Sequence, residues 1–272
     1  MKMSTVSRLQ NGLMPRIYPS LNGFGLAGKC LSAQEVGGDF FEVMPLTESS
    51  VLMVIADVMG KGITASLFAD SLRTLIRALA KPGVRPAQLI SEINHLMFED
   101  LSSADMFITL QIATADLFLR RLSVSNAGHC PLLLCDGAGN SRAIAPDGMP
   151  LGIQMDGTFG EECASLPSSG TVLLYTDGLT EARNRSGDFF GQYRLETWLS
   201  QAIGAHQTVW ELRASLLEQL QIFQEGTQAS DDQTFLILLD EAPRTAPSLM
   251  DKALRAPIEW PEELLPQLTL TG

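Results

Sequence analysis

Val51-Leu-Met-Val-Ile-Ala-Asp57-Val-Met-Gly-Lys-Gly62 is a six-residue apolar run that ends on a carboxylate and opens into a loop with two glycines. Its β-branched content, with turn-forming residues before it, suits a buried strand. Immediately afterwards the period changes. Phe68, Leu72, Leu75, Ile76 and Leu79 recur at helical spacing, Asp70, Arg73 and Arg77 fall opposite, and Pro82-Gly83 ends the helix. A second helix opens with Pro86 in its first turn and carries Leu89, Ile90, Ile93, Leu96 and Met97 inward. Two successive helices in a chain otherwise made of strands and turns do not fit a βαβ repeat on a parallel sheet. They predict an α+β domain of antiparallel sheets covered by helices.

Working outward, residues 107–113, 117–124, 131–135 and 172–176 read as short strands, with turn chemistry such as Asp136-Gly137 and Asp147-Gly148 between them. Residues 209–224 read as a helix with Leu212, Leu216, Leu220 and Phe223 on one face, and residues 234–239 as a closing strand. The expected organisation is a short helical lead over 1–20, one domain over 21–240, and a Pro-rich acidic tail or linker over 241–272. The lead rests on Val6, Leu9 and Leu13, broken by Pro15 and Pro19; the tail carries Pro243, Pro247, Pro257 and Pro261.

Hydrophobic residues make up 45% of the 272 and charged ones 18%, which is ample for a core. The net charge of −12 argues against nucleic acid or an anionic membrane as the main partner, because both demand clustered Lys and Arg. The N-terminal segment has no apolar signal region. No apolar run approaches the roughly 20 residues needed to cross a bilayer. The four cysteines form no C-x-x-C pair and only three histidines exist to complete a zinc site, so the expectation is reduced thiols and a cytoplasmic location.

The chemistry points to aspartates. Asp39 follows Gly37-Gly38, Asp57 ends the run above, Asp177 ends Val172-Leu-Leu-Tyr-Thr176 and precedes Gly178, and Asp231 and Asp232 precede the last strand. A carboxylate at the mouth of a buried strand projects from a rigid element. Several converging there repel one another unless cations neutralise them, and an all-oxygen donor set suits Mg²⁺ or Mn²⁺ rather than zinc. Taken singly, each Asp-Gly is equally a common turn. Residue pattern alone therefore reaches an acidic two-metal site as one reading and ordinary turns as the other.

Seven ordered blocks carry a more specific message: Leu13-Met14-Pro15, Glu35-Val-Gly-Gly-Asp39-Phe-Phe, Asp57-Val-Met-Gly-Lys-Gly62, Asn126-Ala-Gly-His129-Cys-Pro131, Gly148-Met-Pro-Leu-Gly152, Tyr175-Thr-Asp-Gly-Leu-Thr-Glu-Ala182 and Asp231-Asp-Gln-Thr234. In these the chain resembles the metal-dependent (PPM, type 2C) protein serine/threonine phosphatases, in their bacterial sporulation and stress-response branch. The resemblance implies two packed antiparallel sheets flanked by helices, an αββα sandwich, with the metals at one edge. It matches Asp39, Asp57, Asp177 and Asp231 to the family's metal ligands, with Asp231 preferred over Asp232, and the backbone carbonyl of Val58 to a further one. Asp57 matches the residue that bridges two Mn²⁺ or Mg²⁺ ions, and the implied reaction is direct attack of a metal-activated water on phosphoserine or phosphothreonine. His129 is read either as a general acid for the leaving oxygen or as a loop-orienting residue. Lys61 is read as a solvent-facing lysine or a phosphate contact, and Glu181 with Arg183 as a second layer or a surface ion pair. Phe40-Phe41-Glu42 departs from the usual Tyr-Tyr-Asp.

As partner, the resemblance implies a phosphorylated STAS-domain protein as substrate. With about 20 residues before the domain, the expectation is either control by a regulatory protein or domain in trans or through a homodimer, or a chain that is a piece of a longer protein. The competing reading is a catalytically weak binding or regulatory module of the same fold; its signature would be a lost metal aspartate, and none is lost.

Overall fold

The computed structural model describes residues 21, 23–205 and 208–241. The expected lead and tail lie outside the described residues. Ten strands and five helices follow one another among the described residues: β1 (Phe24–Leu31), β2 (Phe40–Pro45), β3 (Ser50–Val58), α1 (Ile63–Leu79), α2 (Pro86–Ser103), β4 (Ile108–Asp116), β5 (Arg121–Ala127), β6 (Leu132–Cys135), β7 (Ser141–Ile144), β8 (Glu161–Ser165), β9 (Thr171–Tyr175), α3 (Asp177–Thr180), α4 (Gly191–Ala202), α5 (Val209–Gln224) and β10 (Gln233–Asp240). The strands form two five-stranded sheets, ordered β1-β10-β9-β6-β7 and β2-β3-β4-β5-β8. Every pairing within them is antiparallel.

The alternation along β3 explains the layers. Val51, Met53 and Ile55 point between the sheets, where they meet Leu236 and Leu238 of β10 and Val172 and Leu174 of β9. Leu52, Val54 and Ala56 point the other way, beneath Leu72 and Ile76 of α1 and Leu89, Ile90 and Ile93 of α2. On the far side, Phe235, Ile237 and Leu239 pack under α4 and α5. Antiparallel strands usually alternate apolar and polar because one face meets water. Here helices cover both sheets, so β3 and β10 carry apolar residues on both faces. The result is the αββα sandwich expected above.

Four details differ from the sequence reading, the first being that residues 117–120 form the turn between β4 and β5 rather than strand. Leu96 is exposed, and Asn94 takes an inward position on α2 instead; its side chain donates to the carbonyls of Gln154 and Met155. Arg73 is buried rather than solvent-facing. Its Nε donates to Glu42 Oε2 at 2.7 Å, and Arg77 Nε donates to the same oxygen at 2.9 Å. Glu42 lies on the face of β2 under α1, so two guanidinium groups clamp the helix to the sheet through one buried carboxylate. Asp136 does cap the β6–β7 turn, accepting from the Ala138 and Asn140 N–H groups, but Asp147-Gly148 sits in a longer loop and joins no hairpin.

Candidate active site

Each predicted aspartate stands at a strand terminus. Asp39 directly precedes β2, Asp57 is the penultimate residue of β3, Asp177 follows β9 at the start of α3, and Asp231 and Asp232 lead into β10. The register places these termini together: Phe40 pairs with Ala56 in one sheet and Tyr175 with Phe235 in the other. Each sheet thus delivers two of the four carboxylates Asp39, Asp57, Asp177 and Asp231 to the same end of the sandwich.

Buried hydrogen bonds tie the two sheets at that end. Thr176 donates its hydroxyl to Asp39 Oδ2 at 2.8 Å and accepts from the Thr234 N–H at 3.1 Å. Asp232 accepts from the N–H groups of Ala33 at 2.7 Å and Gly38 at 3.0 Å. Its carboxylate is therefore committed to bracing the segment before Asp39, while Asp231 faces outward and remains partly exposed. Two glycines permit this closeness. A Cβ on Gly38 would sit 2.6 Å from the Val58 carbonyl oxygen, and one on Gly178 would overlap the Asp232 carbonyl. The first keeps the Val58 carbonyl open beside Asp39; the second lets the turn carrying Asp177 close on Asp231.

The electrostatics are those of buried carboxylates crowded together, offset in part by Lys61. Burial and the neighbouring Asp57 hold the Asp39 carboxyl well above the usual carboxylate range. Burial, then Asp177, Asp231 and Asp232, push Asp57 up to about 7. Asp177 is raised by burial and by Asp231, with Lys61 opposing. Among the described residues no three acidic, histidine or cysteine side chains are already drawn into a chelating group. The donor set nonetheless fits a hard divalent cation: carboxylates that resist ionising together, an open backbone carbonyl, and oxygen throughout. Burial pushes the thiols of Cys30 and Cys130 up to about 12, so neither is a thiolate nucleophile at neutral pH.

Both ring nitrogens of His129 are engaged by neighbours, the arrangement that the loop-orienting reading calls for. Its Nε2 lies 3.1 Å from the Tyr175 carbonyl and its Nδ1 2.7 Å from the Thr109 hydroxyl. A carbonyl only accepts, so the neutral ring donates from Nε2 and accepts at Nδ1. Burial lowers its pKa to about 4, which favours the neutral ring at neutral pH. Asn126 locks the same turn by accepting from the His129 N–H and donating to its carbonyl. His129 thus fixes the strand end two residues before Asp177. Lys61 does not face solvent freely: its ammonium lies 2.9 Å from Asp231 Oδ1 and donates to the Ser230 carbonyl. Arg183 donates to the Gly187 carbonyl and stacks over Phe189, with its guanidinium carbon 4.1 Å from the ring centroid. Among the described residues it forms no ion pair with Glu181. Sequence reasoning gave Thr176, Thr109 and Asp232 no positioning role. The one available signal was a threonine inserted between a buried apolar run and Asp177.

A helix-covered pair of antiparallel sheets with carboxylates gathered at one end is the architecture of the type 2C phosphatase domain. The solved SiaA-PP2C domain of Pseudomonas aeruginosa superposes with a TM-score of 0.72 at 22% identity, covering 86% of this chain and 94% of that one. The chain belongs to the family of stage II sporulation protein E (SpoIIE), whose model matches residues 47–239. It is also similar to two proteins of Bacillus subtilis (strain 168). Phosphoserine phosphatase RsbP is 26% identical over 212 residues, spanning 76% of this chain and 50% of RsbP. Phosphoserine phosphatase RsbU is 26% identical over 240 residues, spanning 87% of this chain and 69% of RsbU. The chain thus spans half to about two-thirds of the length of these relatives.

Proposed function

We propose that this chain is a metal-dependent protein serine/threonine phosphatase that removes phosphate from a partner protein. The observation that carries this reading is the delivery of Asp39, Asp57, Asp177 and Asp231 to one edge, where burial and mutual repulsion raise three of the four carboxyls. Mn²⁺ or Mg²⁺ bound there, as a pair in the family's manner, supplies charge neutralisation for the phosphate and activation of water. Asp57, whose carboxyl is crowded by Asp177 and Asp231, would be the ligand shared between the ions. Asp39, Asp177, Asp231 and the Val58 carbonyl would complete the donors, with Asp232 as the brace behind them. Thr176 orients Asp39, and His129 fixes the approach of Asp177. No side chain acts as a nucleophile in this scheme.

The relatives' names, both phosphoserine phosphatases, support the substrate class. The family resemblance points to a STAS-domain phosphoprotein as the partner, with control exerted by another protein or domain. The test is phosphate release from a phosphoserine peptide and from a phosphotyrosine peptide, with Mn²⁺ and with EDTA. Release from phosphoserine alone, abolished by EDTA, is expected. Folded, Mn²⁺-bound protein that releases nothing, even from phosphorylated STAS-domain proteins, would instead define a binding or regulatory module.

A further inference from the structure

We infer that Lys61 is a resident counter-ion on Asp231, a latch that a divalent cation must displace to bind, and so a residue that sets metal affinity. The inference rests on the reading of Asp231 as a metal ligand. Its own evidence is the geometry of the β3–α1 loop. Lys61 is separated by 170 positions from Asp231, yet its ammonium meets Asp231 Oδ1 at 2.9 Å and also the neighbouring Ser230 carbonyl. It therefore ties the loop after β3 to the loop before β10, across the mouth between the two sheets. The same positive charge offsets part of the repulsion on Asp177. Lys61 supplies the one ammonium or guanidinium in an ion pair with any of the four proposed ligands among the described residues.

The loop is built to let go. Gly60 and Gly62 flank Lys61 with φ of 86° and 79°, and nothing lies within 4 Å of where their Cβ atoms would stand. Helix α1 starts at Ile63 with no side-chain cap on its first turn. Lys61 can leave Asp231 without unpacking anything in the core. The tie is also weak: both side chains are partly exposed, 30% for Lys61 and 47% for Asp231. Exposed pairs of this kind contribute little. A divalent cation, whose attraction to a carboxylate cluster exceeds that of one ammonium, displaces it at a modest cost in affinity. Removing Lys61 should therefore tighten binding about two- to five-fold rather than transform it.

The experiment is titration of the metal-free protein with Mn²⁺, followed by calorimetry and by the electron paramagnetic resonance signal of free Mn²⁺. Wild type is compared with Lys61→Gln, Lys61→Arg, Asp231→Asn and the Lys61→Gln/Asp231→Asn double variant. Expected is about two- to five-fold tighter Mn²⁺ binding in Lys61→Gln and near wild-type binding in Lys61→Arg. Asp231→Asn should bind more weakly, and adding Lys61→Gln to it should bring no gain. Tightening that persists in the Asp231→Asn background would show a general field effect and overturn the latch, as would unchanged or weaker binding in Lys61→Gln. Asp231→Asn binding Mn²⁺ like wild type would overturn the ligand reading of Asp231, and the latch with it. That outcome is separable from failure of the latch alone, in which Asp231→Asn binds weakly and Lys61→Gln is unchanged.

Discussion

Asp231 and Asp232 are adjacent and chemically identical, yet the fold gives them opposite tasks. Asp232 is buried and spends its oxygens on the N–H groups of Ala33 and Gly38, whereas Asp231 points out to Lys61. Asp232→Asn replaces one acceptor oxygen by a donor facing those N–H groups, and should lower unfolding free energy by about 1–3 kcal/mol in urea titration. Asp231→Asn should leave the metal-free protein within about 0.5 kcal/mol of wild type while weakening Mn²⁺ binding. Equal destabilisation by both would show that the assignment of roles is wrong. His129 gives a pH signature at the same scale. Its folded pKa of about 4 lies below the ordinary 6.5, so the unfolded chain binds more protons between those values. Its contribution is complete above pH 6.5 and is lost as pH falls toward 4, by up to about 3 kcal/mol. Urea midpoints measured from pH 7 to pH 4 should fall more steeply in wild type than in His129→Gln. Parallel curves would show that His129 titrates normally.

At the scale of elements, the strength of the sequence signal tracks burial on both faces. Strands β3 and β10 and helix α5 are legible almost to the residue, because a continuous apolar run or a leucine period of that length can form little else. The edge strands β7 (Ser-Arg-Ala-Ile) and β8 (Glu-Glu-Cys-Ala-Ser) are not, since an edge half in water carries polar residues that read as loop. Strand β1 is hidden by Gly25 and Gly28; the latter makes room for the Phe41 ring, which a Cβ would meet at 2.8 Å. Helix α4 is mostly polar, with Leu195, Trp198, Leu199 and Ala202 buried. Arg73 defeats the pattern because an arginine at a polar position of a helix ordinarily faces water; only the tertiary fold reveals Glu42 beneath it. That pairing makes a prediction. Glu42→Gln removes the buried carboxylate facing Arg73 and should cost about 3–5 kcal/mol, whereas Arg77→Ala, at the more exposed partner, should cost under about 1 kcal/mol. A mild Glu42→Gln in urea unfolding would mean that apolar packing alone holds α1 to the sheet.

At the scale of the whole molecule, the two sheets act as two arms bringing charge to one place. Each aspartate can be noticed individually after its glycines, at the end of its apolar run or before the last strand, though singly each is equally an ordinary turn. Their convergence cannot, because it depends on which strands pair and on two sheets meeting face to face, neither of which a local pattern encodes. The family resemblance supplies that step, and the register of β2 with β3 and of β9 with β10 gives its physical cause. A fold that holds mutually repelling carboxylates at its edge is less stable without cations than it would be with one charge fewer. Melting temperature, with and without Mn²⁺, tests this most directly in wild type and Asp57→Asn. Without metal, Asp57→Asn should melt several degrees above wild type, since a domain of this size moves by about 2–4 °C per kcal/mol. Mn²⁺ should then raise the wild type strongly and Asp57→Asn little. An Asp57→Asn protein that melts lower without metal and still gains the full Mn²⁺ shift would contradict the account.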